Sequence, residues 1–243
     1  MTADTLPALF PVAARIAGAG VVLTGLELVP VAREINRWRR SPGRPATGVA
    51  ASVLLSAVGV TLVAWPAWAV TGGAVLAAAL LAWLVLTYDP IGDGADVMLV
   101  IVLAGLGGLN LMPTPWLRTL MWWLLAGHVC LAYWWSGVAK LRVPAWRAGR
   151  QIALVLNSPQ YGSAALAWQF LHRPWLGRAA AWTVIPLELS APVFLAVGGV
   201  PLAVWACCAV AMHLGIAVMM GLGRFAWAFG AGLCAMLAAR GTL

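Results

Sequence analysis

The stretch Val97-Met-Leu-Val-Ile-Val-Leu-Ala-Gly-Leu-Gly-Gly-Leu109 contains no charged and no hydrogen-bonding side chain. A strand of a membrane barrel alternates apolar with polar residues, so unbroken runs of this kind exclude a porin-type barrel. In hydrocarbon every backbone N–H and C=O needs an internal partner, which leaves the α-helix as the spanning element. The rest of the chain agrees. Of 243 residues, 63% are hydrophobic and 9% charged, against about 25% charged in an ordinary soluble domain. So few charges cannot coat a water-facing surface, and the composition reads as a polytopic all-α membrane protein.

A helix needs about 20 mostly apolar residues to cross the hydrocarbon layer. On that measure the sequence predicts about eight spans, approximately Leu9 to Val29, Val49 to Trp65, Gly73 to Leu86, Val97 to Met112, Trp116 to Val138, Ala180 to Gly198, Pro201 to Gly221 and Arg224 to Ala239. The segment from Leu141 to Arg178 mixes Trp146, Trp168, Phe170 and Trp175 with arginines and reads as interfacial helices between spans five and six. Residues 1–243 are expected to form a single integral membrane domain. Asp4 with no basic n-region argues against a cleaved signal peptide.

Fifteen Lys and Arg stand against seven Asp and Glu. The loops on one face would hold Arg33, Arg37, Arg39, Arg40, Arg44, Lys140, Arg142, Arg147, Arg150, Arg173, Arg178 and Arg224, leaving Arg15, Arg118 and Arg240 elsewhere. The positive-inside rule makes that face cytoplasmic. The expected partner of this charge is the bilayer, not nucleic acid. Cys130, Cys207, Cys208 and Cys234 fall in apolar runs without metal-ligand spacing and read as buried small hydrophobes, so no metal site is expected.

An ionisable residue inside a span costs about 2.5 to 3.5 kcal/mol on insertion scales. Arg15, Glu27, His128, Glu188 and His213 fall in that class, with Asp93 and Asp96 before the fourth span and Lys140 ending the fifth. Counting depth along alternating helices brings Glu27, Lys140, Glu188, His213 and the two aspartates to one side, as if around one polar cavity. His128, Ser136 and Lys140 lie on one helical stripe with Tyr133 and Gly137 beside it. Pro186 and Pro192 bracket Glu188 and release carbonyls that need polar partners. Each residue also has a plain structural explanation. Lys140 can snorkel to the headgroups, the histidines can join helices, and the aspartates can cap a turn.

The run Tyr133-Trp-Trp-Ser-Gly-Val-Ala-Lys140-Leu, followed by Trp146 and Gly149, resembles the Y-x-x-[SA]-G-x-x-K-L…W-x-x-G signature of the HTTM superfamily, which includes the vitamin K-dependent gamma-carboxylases. Further matches follow in order: Asp89 to Met98, Ile185-Pro-Leu-Glu188-Leu-Ser-Ala, then His213 with Gly221 and Phe225. The resemblance implies a quinone-linked membrane oxidoreductase or peptide-modifying enzyme in a bacterial cytoplasmic membrane. Lys140 would be the base that deprotonates a hydroquinone, menaquinone or vitamin K-like. His213 and Glu188 would be its catalytic partners, and Tyr133, Gly137, Trp146 and Asp96 would hold the cofactor. A peptide substrate or a soluble partner protein would complete the system.

The chain departs from the carboxylases in three ways. Gly94 to Val97 lacks the histidine they carry there. No large propeptide-gripping domain is expected within these 243 residues. The charge count also sets Lys140 on the cytoplasmic side, whereas carboxylase chemistry is extracytoplasmic. The alternative function is a non-enzymatic membrane subunit or small-molecule carrier whose polar residues only pair helices.

Overall fold

The structure, a computed structural model, describes residues 6–39, 45–88, 94–158 and 162–241. Every regular element among them is a helix. The chain divides into two compact units, one made of Met1–Leu125 with Trp227–Leu243, the other of Ala126–Ala226.

The first unit holds α1 (Leu6–Arg39), α2 (Pro45–Ala64), α3 (Pro66–Tyr88), α4 (Gly94–Leu109), the beginning of α5 (Pro115–Arg142) and nearly all of α12 (Gly223–Gly241). Its tightest packing is α1 on α2. A Cβ on Gly18 would come within 2.9 Å of the Gly59 carbonyl, and one on Gly59 within 2.8 Å of the Gly18 carbonyl. Two facing glycines thus let the helix backbones touch, the usual small-residue route to association in lipid. Ser56 Oγ spans the same interface to the Val22 carbonyl at 3.3 Å. The alanine-rich α12 is buried along most of its length, from Ala228 to Ala239.

The second unit holds the rest of α5, the short helices α6 (Pro144–Arg147), α7 (Arg150–Leu156) and α8 (Ala164–His172), then α9 (Pro174–Leu189), α10 (Ala191–Val197) and α11 (Gly199–Met220). Its core joins Ile152, Leu156, Ala167, Ala181 and Ile185, with Trp146, Phe170 and Met219 packed against it. Between α9 and α10 the axis bends by 44° at a break over Ser190. Pro192 has no N–H for the Glu188 carbonyl, and its ring crowds that carbonyl, so a continuous helix cannot form there.

Among the described residues, three helices are long and apolar enough to cross a membrane: Leu9–Glu34, Thr47–Ala64 and Gly199–Met220. The bent α9–α10 pair makes a fourth if it counts as one span. These mark an integral membrane protein. The expected eight spans are not supported. The described part of α3, Thr71–Thr87, and the 16-residue α4, Gly94–Leu109, are apolar but fall short of that length. The other two, α5 and α12, reach the length but are less apolar on average than α2 and α11, with His128 and several tryptophans inside α5 and Arg224 and Arg240 at the two ends of α12. The expected helices between Leu141 and Arg178 are present as α6, α7 and α8. Cys207 and Cys208 correct another expectation: both are exposed on α11, while Cys130 and Cys234 are buried.

Candidate functional site

Lys140 sits in the last turn of α5, where the partial negative charge of the helix end favours a cation. One turn earlier on the same face is Ser136. Both reach Glu188 on α9. Lys140 Nζ donates to Glu188 Oε1 at 2.7 Å and to Oε2 at 2.8 Å, and Ser136 Oγ donates to Oε1 at 3.1 Å. Nζ also donates to Ser136 Oγ and lies 5.5 Å from the centre of the Trp146 ring, a cation–π distance. Glu188 is 5% exposed. Its carboxylate is therefore buried, paired and hydrogen-bonded, which a buried charge requires.

Gly137 makes this approach possible. A Cβ there would lie 2.9 Å from Leu189 Cγ, 3.0 Å from Leu189 N and 3.1 Å from Glu188 Cβ. Any larger residue would push α5 off α9 at the level of the ion pair. Gly137 is thus a spacer between helices, and no atom of it lines the cavity described next.

That cavity has a volume of about 630 Å³ and lies wholly within the second unit. Lys140 and Glu188 are its charged groups. The rest of the wall is nearly all apolar, with Trp146, Ile152, Val184 and Leu187 from one side and Met212, Ile216, Met219 and Met220 from α11. Cys208, Ala211, Met212, Gly215, Ile216 and Met219 follow helical spacing and form one stripe. The size falls in the usual range for small-molecule sites, about 300 to 1,000 Å³.

His213 belongs to another face of α11, shared with Leu202, Trp205, Ala206 and Ala209, and does not line the cavity. Its Nε2 is 2.8 Å from the hydroxyl of Tyr133. Tyr133 is 2% exposed and likewise turned away from the cavity. The ring of Trp205 meets Tyr133 edge-on at 5.1 Å, and Phe225 stacks on His213 at 6.3 Å. Two polar pairs therefore join α5 to its neighbours: Lys140 with Glu188 on α9, and Tyr133 with His213 on α11.

The expected single grouping is realised in part. Trp146 and the Lys140–Glu188 pair meet at the cavity, and His213 with Tyr133 forms a separate bond. His128 is three turns earlier in α5, about 18 Å from Lys140 by helical rise. Asp96 is buried in α4 and Glu27 lies in α1, both in the first unit. Asp93 lies outside the described residues.

Two contributions escape the sequence reading. The carbonyl of Leu187, at the helix break, accepts from Trp205 Nε1 at 3.0 Å and from Ser190 Oγ at 2.9 Å. This carbonyl lies in the last turn of α9, where the helix end leaves it without an intrahelical donor, and the sequence does not say which tryptophan supplies one. Met219 and Met220, which stand in an apolar run with no mark of a site, form cavity wall. No family model, no curated protein and no solved structure matches the chain.

Proposed function

We propose that this chain is a quinone-linked membrane oxidoreductase or peptide-modifying enzyme of the vitamin K-dependent carboxylase-like class. The observation that carries this reading is a hydrogen-bonded Lys140–Glu188 pair set as the charged spot in an otherwise apolar cavity of about 630 Å³. An apolar chamber suits a quinone ring, and the charged pair suits the handling of its hydroxyl proton. Lys140 must hand a proton to Glu188 before its amine can accept one, and the 2.7 Å bond is the path. The neutral Nζ would then accept the proton of a bound hydroquinone hydroxyl, with Trp146 and the apolar wall holding the ring. Dioxygen would be the oxidant in the next step, as in the family the chain resembles. Trp146 flanks the ammonium, while Tyr133 and His213 hold α5 to α11 and position Lys140 indirectly. The basic segments face the cytoplasm in this reading, and α6 to α8 lie in the membrane interface.

A second reading has its own support. Both polar pairs connect one helix to another, as in a non-enzymatic subunit or small-molecule carrier. Cavity filling separates ligand binding from helix pairing. Gly215 lines the cavity, and a Cβ on it meets nothing within 4 Å. Gly215→Leu should project into the chamber and narrow it while leaving both pairs in place. Titration of reduced menaquinone into the detergent-solubilised full chain, followed by tryptophan fluorescence, should show saturable binding that Gly215→Leu weakens at least ten-fold. Absence of saturable binding in the unaltered protein would favour the helix-pairing reading.

A further inference from the structure

Between Lys140 and Glu188 the chain carries Arg142, Arg147, Arg150, Arg173 and Arg178 and no acidic residue. The backbone gathers three of these arginines. Gly149, between α6 and α7, has φ +77° and crosses Gly177 of α9 so closely that a Cβ on either would strike the other's backbone. Arg147 and Arg150 flank the first glycine, and Arg178 follows the second. Trp182 fixes the crossing, its Nε1 donating to the Arg147 carbonyl at 3.2 Å. Trp175, Arg178 and Trp182 follow i, i+3, i+7 spacing and share one face of α9. All five side chains are exposed.

We infer that Arg147, Arg150 and Arg178 form a binding site for the phosphate of an anionic glycerophospholipid, with Trp175 and Trp182 at headgroup level. The guanidinium fork matches phosphate oxygens in bidentate fashion, and tryptophan prefers the boundary between hydrocarbon and water. Nucleic acid would use the same arginines. The exposed tryptophans, on the first helix of the bent apolar pair, favour lipid.

The test is native mass spectrometry of the full chain in neutral detergent with added phosphatidylglycerol or phosphatidylcholine. The unaltered protein should retain one phosphatidylglycerol in preference to phosphatidylcholine. Each arginine near an anionic surface is worth roughly a five-fold change in affinity, so the triple variant Arg147→Gln/Arg150→Gln/Arg178→Gln should bind roughly a hundred-fold more weakly. Removing the same charge elsewhere, with Arg15→Gln/Arg33→Gln/Arg118→Gln, should leave retention unchanged. If the first triple variant does not fold, Arg150→Gln alone should still lower retention about five-fold. Equal retention of the two lipids, equal loss in both triple variants, or displacement of the lipid by inorganic phosphate or duplex DNA at matched concentration would overturn the proposal.

Discussion

Lys140 and Glu188 are each costly alone in an apolar setting and tolerable together. Removing one partner of a buried pair strands the other, at about 3 to 5 kcal/mol, whereas replacing both with apolar residues of similar volume is often neutral. Lys140→Met should therefore destabilise the protein more than the double variant Lys140→Met/Glu188→Leu does. Thermal unfolding in detergent would check this, and equal losses would mean the pair is not coupled. Tyr133→Phe removes the hydroxyl that meets His213 and should cost about 1 kcal/mol. Both ionisable partners are legible in the sequence because charge in an apolar run stands out by its cost. Their bond is not legible, because it depends on the register between α5 and α9. The rotation of α11 that turns His213 away from the cavity is also hidden, since depth along a helix says nothing about which neighbour a face meets.

Helix spacing carries the next level of the account. Gly137→Ala puts a methyl group against Leu189 and Glu188 Cβ and should destabilise by about 1 to 3 kcal/mol, with loss of ligand binding. Gly127→Ala on the same helix meets nothing within 4 Å and should be neutral or slightly stabilising. Comparable effects of the two substitutions would remove Gly137 as the spacer. The break between α9 and α10 is readable from Pro186 and Pro192, because proline removes a donor wherever it falls. Trp205 as the donor to the Leu187 carbonyl at that helix end is not readable, since it comes from another helix. Span number is misjudged for a related reason. Apolar length can be counted along the chain, but short helices such as α4 and polar ones such as α5 fall outside a length-and-composition rule.

Across the whole molecule, large apolar side chains face outward, with Val200, Val204, Leu214 and Val218 exposed along α11. Such a surface suits lipid. Cys207 on the same helix should resist both a membrane-permeant and a charged, water-soluble maleimide in the intact bilayer and react after denaturation, because maleimides attack the hydrated thiolate. Labelling by the charged reagent in the intact bilayer would take α11 out of the membrane. Cysteines introduced singly near Arg37 and near Trp168, in a background lacking the native four, should both escape labelling from outside intact cells, and labelling of either would reject the cytoplasmic assignment. The division at Leu125 and Trp227 has no mark in the sequence, because it falls inside helices α5 and α12. The central claim is that Lys140 acts as a base on a hydroquinone, and it is tested most directly by hydroquinone-dependent oxygen uptake of the full chain in lipid nanodiscs. The account predicts measurable uptake that falls 10² to 10⁴-fold in Lys140→Ala, the usual loss on removing a general base, and stays within a few-fold in Arg142→Ala. Equal mild effects of the two substitutions, or no uptake by the unaltered protein, would contradict it.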